Sequence, residues 1–177
     1  QSGHLCVATL HANNCYHALN RIISFYPMEN RPALLEDLSA TMKCIISQRL
    51  IKNKKGQRNA AVEVLLASRH ISGLIGKGEI NEIKEAMEKS MSPGSQTFEQ
   101  CLFNMILSGK ISQDEGLANA DSATNLLWLI NNTEAGGAIR QAHDKDPQHA
   151  KEQQAKQASG GDGGASFSGF KLDTGEV

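Results

Sequence analysis

Two histidines bound an apolar run near the start of the chain, with His4 before residues 5–10 and His11 directly after them. A strand rises about 3.3 Å per residue, so in a strand the two imidazoles would lie about 23 Å apart. Zinc ligands lie about 2 Å from the metal, and this separation therefore excludes one zinc ion held by both histidines. The two side chains instead mark opposite ends of the run.

The two ends of the run differ in the chemistry that they allow. A continuous apolar run, LCVATL, predicts a strand that is covered on both faces. In open α/β sheets, ligands bind beyond the carboxyl ends of the strands, where His11 and the hydroxyl of Thr9 would lie. An imidazole N–H there can donate a hydrogen bond to a phosphate oxygen. A purely structural histidine is the alternative, for His11 and even more for His4.

Other charged and metal-binding residue types are less specific. Arg49 lies near the end of a second predicted strand. There it would contact a phosphate or a neighbouring subunit, or else form a salt bridge as a strand-end charge. The basic loop at residues 52–59, KNKKGQRN, either contacts an acidic partner or is simply solvated. The six histidines show no HxxH or HExxH spacing, which argues against a metal-dependent hydrolase.

Composition limits the protein classes that fit the chain. The 177 residues suffice for one domain with a tail, and 40% hydrophobic but only 5% aromatic residues predict an aliphatic core. A net charge of −1 gives no support for nucleic-acid binding, and no apolar stretch reaches the roughly 18 residues of a membrane span. Four scattered cysteines without a CxxC pair predict buried, reduced thiols. A start at Gln1 suggests a chain cut from a longer one.

Hydrophobic periodicity divides the chain into three zones. Residues 1–66 alternate strand and helix patterns, residues 67–132 are predicted to be all helical, and residues 133–177 are predicted to be a disordered tail. The fold class is therefore α/β with a small helical subdomain. The predicted strands cover 5–10, 44–51 and 60–66, and the predicted helices cover 15–25, 31–43, 80–91 and 121–131, with capping boxes at 97–100 and 112–115. One apolar island in the tail, residues 167–173, is either a frayed terminus or a docking peptide.

The motif Gly3-His4-Leu5 followed by Thr9-Leu10-His11 resembles the histidine box of secretion-type ATPases, the hexameric motors of type IV pili and type II secretion. The likeness to PilT/PilU-like pilus retraction ATPases continues in the family's order over about residues 2–131. It is carried by NRIISFYP, ISQRL, VEVLL, GSQTFEQCLFNMILSGKIS and NADSATNL. The segment KGEINEIKEAMEKS and the NADSATNL ending look most like the accessory, PilU-like branch.

The resemblance implies the C-terminal half of a RecA-like sheet domain followed by a helical subdomain. It further implies a cytoplasmic motor ATPase at the inner membrane, in hexamers with ATP and Mg²⁺ at subunit boundaries. Its partners would be a PilT-like motor and the pilus platform protein, without nucleic acid or membrane insertion. The carried-over box residues are Gly3, His4, Thr9 and His11, which would lie near the nucleotide phosphates.

Departures from the family pattern concern the phosphate-binding machinery. The chain contains no GxxxxGK[ST] loop, and residues 71–78 lack its first glycine and closing hydroxyl residue. An apolar strand ending in an acid is also missing, and Glu63 lies inside its strand rather than at the end. Phosphoryl transfer depends on these groups for positioning and charge stabilisation. The segment alone is therefore not expected to hydrolyse ATP, and a non-catalytic assembly module of a pilus or secretion machine is the alternative function.

Overall fold

A computed structural model describes residues 3–89, 92–134 and 136–137. Its elements, in chain order, are α1 (Cys15–Ser24), a 3-10 turn (Met28–Asn30), α2 (Arg31–Thr41), β1 (Cys44–Lys52), β2 (Arg58–Leu66), α3 (Arg69–Lys77), a second 3-10 turn (Ile80–Glu82), α4 (Ile83–Glu88), α5 (Phe98–Leu107), α6 (Gln113–Asn119) and α7 (Ala123–Asn132). The mixture of helices and strands confirms the α/β class.

The two strands form an antiparallel hairpin whose register runs from Cys44 opposite Leu66 to Lys52 opposite Arg58. The basic loop closes it as a tight turn. There the Asn53 side-chain oxygen accepts hydrogen bonds from the backbone N–H groups of Lys55 and Gln57, at 3.0 and 2.8 Å. The predicted strands at 44–51 and 60–66 are therefore confirmed, as direct antiparallel neighbours.

The inward face of the hairpin carries two separate apolar cores with a polar centre. At the turn end, Ile51 and Ala61 pack with Phe98 and the apolar faces of α5 and α7. At the other end, Leu65 packs with the buried residues of α1, α3 and α4. Between the cores lie Ser47 and Glu63, which face each other in the register and are both buried.

Local capping explains where the helices begin and end. Thr97 and Gln100 form the predicted capping box at the start of α5, with reciprocal bonds of 3.3 and 3.0 Å. Ser112 caps α6 by accepting a bond from the backbone N–H of Glu115. Gly78 caps the C-terminal end of α3, and its φ of +76° is the left-handed geometry that glycine tolerates best.

Two predicted elements differ from the structure. The helix expected over 80–91 is a 3-10 turn followed by a short α4 that ends at Glu88. Residues 5–10 form no strand, and Leu5 and Val7 are 84% and 85% exposed instead of buried. A strand needs a hydrogen-bonded neighbour, and the described residues place their single sheet, the hairpin, elsewhere.

The thiol prediction is correct only in part. The four cysteines are free, as expected, but only Cys15 is fully buried, whereas Cys6 and Cys44 are exposed. Cys6 is exposed because residues 5–10 form no strand. Cys44 is exposed because it is the first residue of β1 and lies on the outward face of the hairpin. The predicted tail at 133–177, with its apolar island, lies outside the described residues apart from positions 133–134 and 136–137. The domain boundaries at residues 66 and 132 stay predictions.

Candidate functional site

A shallow pocket of about 290 Å³ lies where the histidine-box segment meets helix α1. His11, Ala12 and Asn13 line one part of it, and His17 and Arg21 of α1 line the rest. His11 is exposed, so its ring nitrogens are accessible to a ligand. Among the described residues that line this pocket there is no carboxylate, a composition that fits the phosphate groups of a nucleotide.

The structure does not gather all of the predicted site residues at this pocket. Gly3, His4 and Thr9 are exposed but do not line it. Gly3 has a φ of +73°, which a side chain at this position would strain. The role of the histidine box in binding phosphate therefore stays a prediction, with His11 the box residue that lines the pocket.

Two polar side chains hold the start of α1 next to His11. The Asn14 side-chain oxygen caps the helix by accepting a hydrogen bond from the backbone N–H of His17 at 3.0 Å. Glu63, on the inward face of β2, accepts a 2.7 Å hydrogen bond from the backbone N–H of Cys15. The helix start is thereby tied to the polar centre of the hairpin.

Burial controls the protonation of Glu63 and of the Cys15 thiol. Desolvation raises the pKa of Glu63, and the negative charges of Asp121 and Glu99 raise it further, against the lowering effect of the Cys15 hydrogen bonds. Burial, with the charge of Glu63, likewise raises the pKa of the Cys15 thiol to about 12. Cys15 is therefore a packed thiol that contacts the Ser47 hydroxyl at 3.5 Å, and not a nucleophile.

Arg49 joins the pocket segment to the helical part of the chain. Its guanidinium donates to the Asn13 carbonyl oxygen at 2.9 and 3.3 Å and to the Asn119 carbonyl oxygen at 3.0 Å. It also forms an ion pair with Asp121 and lies over the Phe98 ring, 4.1 Å from the centroid. These contacts match the ion-pair alternative for Arg49, while its binding of nucleotide stays a prediction.

A second buried acid holds the start of α7. Glu99, only 2% exposed, accepts a 2.8 Å hydrogen bond from the backbone N–H of Ser122 and pairs with Lys84 of α4 at 3.3 Å. Asn14 reaches the same region by donating a 3.0 Å hydrogen bond to the Asp121 carboxylate. The NADSATNL motif is therefore the place where α1, β1 and α5 converge.

Sequence reasoning named Arg49 as a candidate and weighed Glu63 only as an acid inside its strand. It did not single out Asn14, Glu99 or Asp121, although two signals for these connections were present. Glu63 interrupts an apolar strand, and a charged residue in such a position must find a buried hydrogen-bond partner. Nothing in the sequence indicated that the partner would be the backbone of Cys15. Asn14 immediately precedes a helix, which is the pattern of an N-cap.

The described residues were also searched for other kinds of site. They contain no group of three or more His, Cys, Asp or Glu side chains that could hold a metal ion. Within the same part of the chain, no helix combines the length and apolar character that crossing a bilayer requires.

Comparison with known proteins agrees with the motif analysis. The family model described as "Type II/IV secretion system protein" matches residues 1–158. The Type IV pilus ATPase PilU of Pseudomonas aeruginosa is 44% identical over 131 residues, covering 73% of this chain and 34% of PilU. The Type IV pilus retractation ATPase PilT of the same organism is 30% identical over 125 residues, covering 71% and 36%. The chain thus spans about a third of the length of these curated relatives.

Solved structures show the same relationship. The pilus retraction motor PilT with bound ADP superposes with a TM-score of 0.64 at 27% identity, over 72% of this chain and 35% of that one. The Legionella pneumophila ATPase DotB has a TM-score of 0.52 at 21% identity, over 62% and 31%, a likeness of fold alone. The higher identity to PilU than to PilT agrees with the expected branch. The chain therefore belongs to the type II/IV secretion system protein family, among the relatives of the type IV pilus ATPases PilU and PilT.

Proposed function

We propose that this chain is the histidine-box portion of a motor ATPase that powers type IV pilus retraction, with the nucleotide phosphates facing His11. Relatives named as pilus ATPases support the reaction, and a structural neighbour solved with ADP supports the nucleotide. His11, Thr9, His4 and Gly3 are the proposed contacts. The phosphate loop and the Mg²⁺ ligands would be supplied by the upstream half of the ATPase domain.

The apolar run at residues 5–10, which directly precedes His11 and forms no strand among the described residues, carries the proposal. Burying a residue such as Leu5 or Val7 contributes about 1.5–3 kcal/mol, which is lost while both are more than four-fifths exposed. An interior strand position in a larger sheet would recover this free energy and pair the backbone groups of residues 5–10. His11 would then lie at the carboxyl end of that strand, where α/β sheets bind ligands.

The assembly around this site is also part of the proposal. Copies of the complete protein would form hexamers with ATP at their boundaries, alone or with a PilT-like motor. They would act on the platform protein at the cytoplasmic face of the inner membrane. Within the chain, residues 1–66 would complete the RecA-like core, residues 67–132 would form the helical subdomain, and residues 133–177 would be the tail.

A chimera with matched histidine variants tests the function. The upstream part of Pseudomonas aeruginosa PilU, joined in frame to this chain, should hydrolyse ATP. His11→Ala should lower kcat about 10- to 100-fold, at or below the typical cost of removing a donor to developing charge. The control is His70→Ala, because His70 is also exposed but lies on α3 beside a different pocket. Equal turnover of the His11→Ala and parent chimeras would refute the role of His11.

A non-catalytic assembly module is the second candidate. The outward face of the hairpin favours it, because Ile46 and Leu50 are 65% and 59% exposed and form an apolar surface on β1. This candidate predicts that the chimera assembles without ATP turnover.

A further inference from the structure

We propose that His17 and Arg21 join His11 in one anion-binding pocket that holds the phosphate chain of the nucleotide. This inference rests on the proposed function and adds two binding residues to it. Neither residue belongs to the histidine box, and both come from the helix that follows it. The ligand class is a polyphosphate group.

The geometry of α1 brings these side chains together. His17 and Arg21 are four residues apart in a helix, so they lie on the same face one turn from each other. Both line the pocket of about 290 Å³ whose remaining lining is residues 11–13. Three side chains that can carry positive charge therefore converge on one shallow depression.

Neighbouring aromatic rings limit the positions of the two helix side chains. The His17 ring lies against the Tyr16 ring, with centroids 4.2 Å apart at an angle of 36°. The Arg21 guanidinium carbon lies 6.0 Å from the centroid of the Phe25 ring. Such contacts lower the entropy lost when a flexible side chain binds a ligand.

The side chains must provide the binding, because key backbone donors at the start of α1 are already engaged. The N–H of Cys15 donates to Glu63 at 2.7 Å, and the N–H of His17 donates to the Asn14 side chain at 3.0 Å. A phosphate at this pocket therefore gains little from the usual helix N-terminal site. The imidazole N–H groups of His11 and His17 and the guanidinium of Arg21 are the donors that this inference assigns to the phosphate.

The charge distribution around the pocket favours an anion. Among the described residues that line it, none carries a negative charge. Two acids contact the start of α1, and both already have partners. Asp121 pairs with Arg49, and Glu63 accepts the hydrogen bond from the Cys15 N–H. Arginine binds phosphate oxygens through two parallel hydrogen bonds, and a polyphosphate carries further oxygens for the two imidazoles.

The test uses sodium pyrophosphate as the probe and the imidazole NMR signals of the whole 177-residue chain as the readout. At constant pH and ionic strength, the signals of His11 and His17 should shift together with one saturating dissociation constant. Arg21→Gln should weaken that constant about threefold to fivefold, as expected for a solvent-exposed charge contact. Arg21→Lys keeps the charge but not the planar fork, and should weaken the constant only about twofold, less than Arg21→Gln does.

Matched controls separate the possible outcomes. Arg69→Gln removes the same charge from an exposed site on α3 and should leave pyrophosphate binding unchanged. Circular dichroism of each variant establishes that the helices are intact. Shifts of His11 alone with no effect of Arg21→Gln would overturn this inference and leave the proposed function standing. Equal shifts with sodium acetate would overturn the polyphosphate assignment. If the parent chimera does not hydrolyse ATP, that result would instead refute the proposed function.

Discussion

Replacing Arg49 with alanine is the sharpest test of how the pocket is held in place. The variant loses two sets of hydrogen bonds, to the carbonyl oxygens of Asn13 and Asn119, together with the Asp121 ion pair and the stacking on Phe98. Asn13 lines the pocket, so its carbonyl contact connects β1 to the candidate site. The side chains of the ion pair are 23% and 19% exposed, so solvent screens the pair only in part.

The expected cost follows from these contacts. Each charge-assisted contact to a carbonyl contributes about 1 kcal/mol, the ion pair about 0.5 kcal/mol and the stacking about 1 kcal/mol. Arg49→Ala should therefore destabilise the protein by about 3.5 kcal/mol, a large share of the roughly 5–15 kcal/mol that holds a domain folded. Arg49→Lys keeps the charge but not the planar fork, and should lose about half as much.

Urea unfolding followed by far-UV circular dichroism measures this free energy. Arg58→Ala is the control, because Arg58 is exposed at the start of β2 and should change stability by less than about 0.5 kcal/mol. A double-mutant cycle with Asp121→Ala isolates the ion pair, for which a coupling of about 0.5 kcal/mol is expected. If Arg49→Ala costs less than about 1 kcal/mol, the contacts do not hold the pocket segment, and the reasoning fails.

Three further predictions concern protonation, thiol exposure and backbone geometry. Because folding raises the pKa of Glu63, the free energy of unfolding of the wild-type protein should fall as pH rises above the ordinary carboxyl pKa near 4.3. Urea titrations at several pH values should show this fall, and Glu63→Gln should abolish it. A thiol reagent at pH 8 should modify Cys6 on the order of a thousandfold faster than Cys15, whose pKa is about 12, and equal rates by peptide mass spectrometry would contradict the burial. Gly78→Ala should lower the unfolding free energy by about 1 kcal/mol because of its positive φ, whereas Gly73→Ala, with open space around it, should raise it by up to about 1 kcal/mol.

Exposure of Cys6 also reports on the proposed sheet. In the PilU chimera, residues 5–10 should become an interior strand, and Cys6 should then be protected from the same reagent. The matched reference is Cys44, which is exposed in this chain on the outward side of the hairpin. Protection of neither thiol in the chimera would argue against completion of the sheet.

Local patterns in the sequence were sufficient for most individual elements. The strands at 44–51 and 60–66, helix α1 and the capping box of Thr97 and Gln100 depend on residues close in the chain, and all are present. The ordered motifs also sufficed for the family, because they extend over most of the chain. The apolar run at 5–10 misled for a physical reason, since a strand depends on partners that local sequence does not contain.

Only the tertiary structure decided how these elements meet. The sequence by itself determined the mixed α/β class, the aliphatic core and His11 as the candidate ligand contact. Folding decided that Glu63 would hold the start of α1, that Arg49 would join Asn13 to Asp121, and that His17 and Arg21 would share a pocket with His11. The physical reason is that hydrogen-bond partners and pocket neighbours distant in the chain are chosen by packing, which brings polar groups together where apolar surfaces are buried.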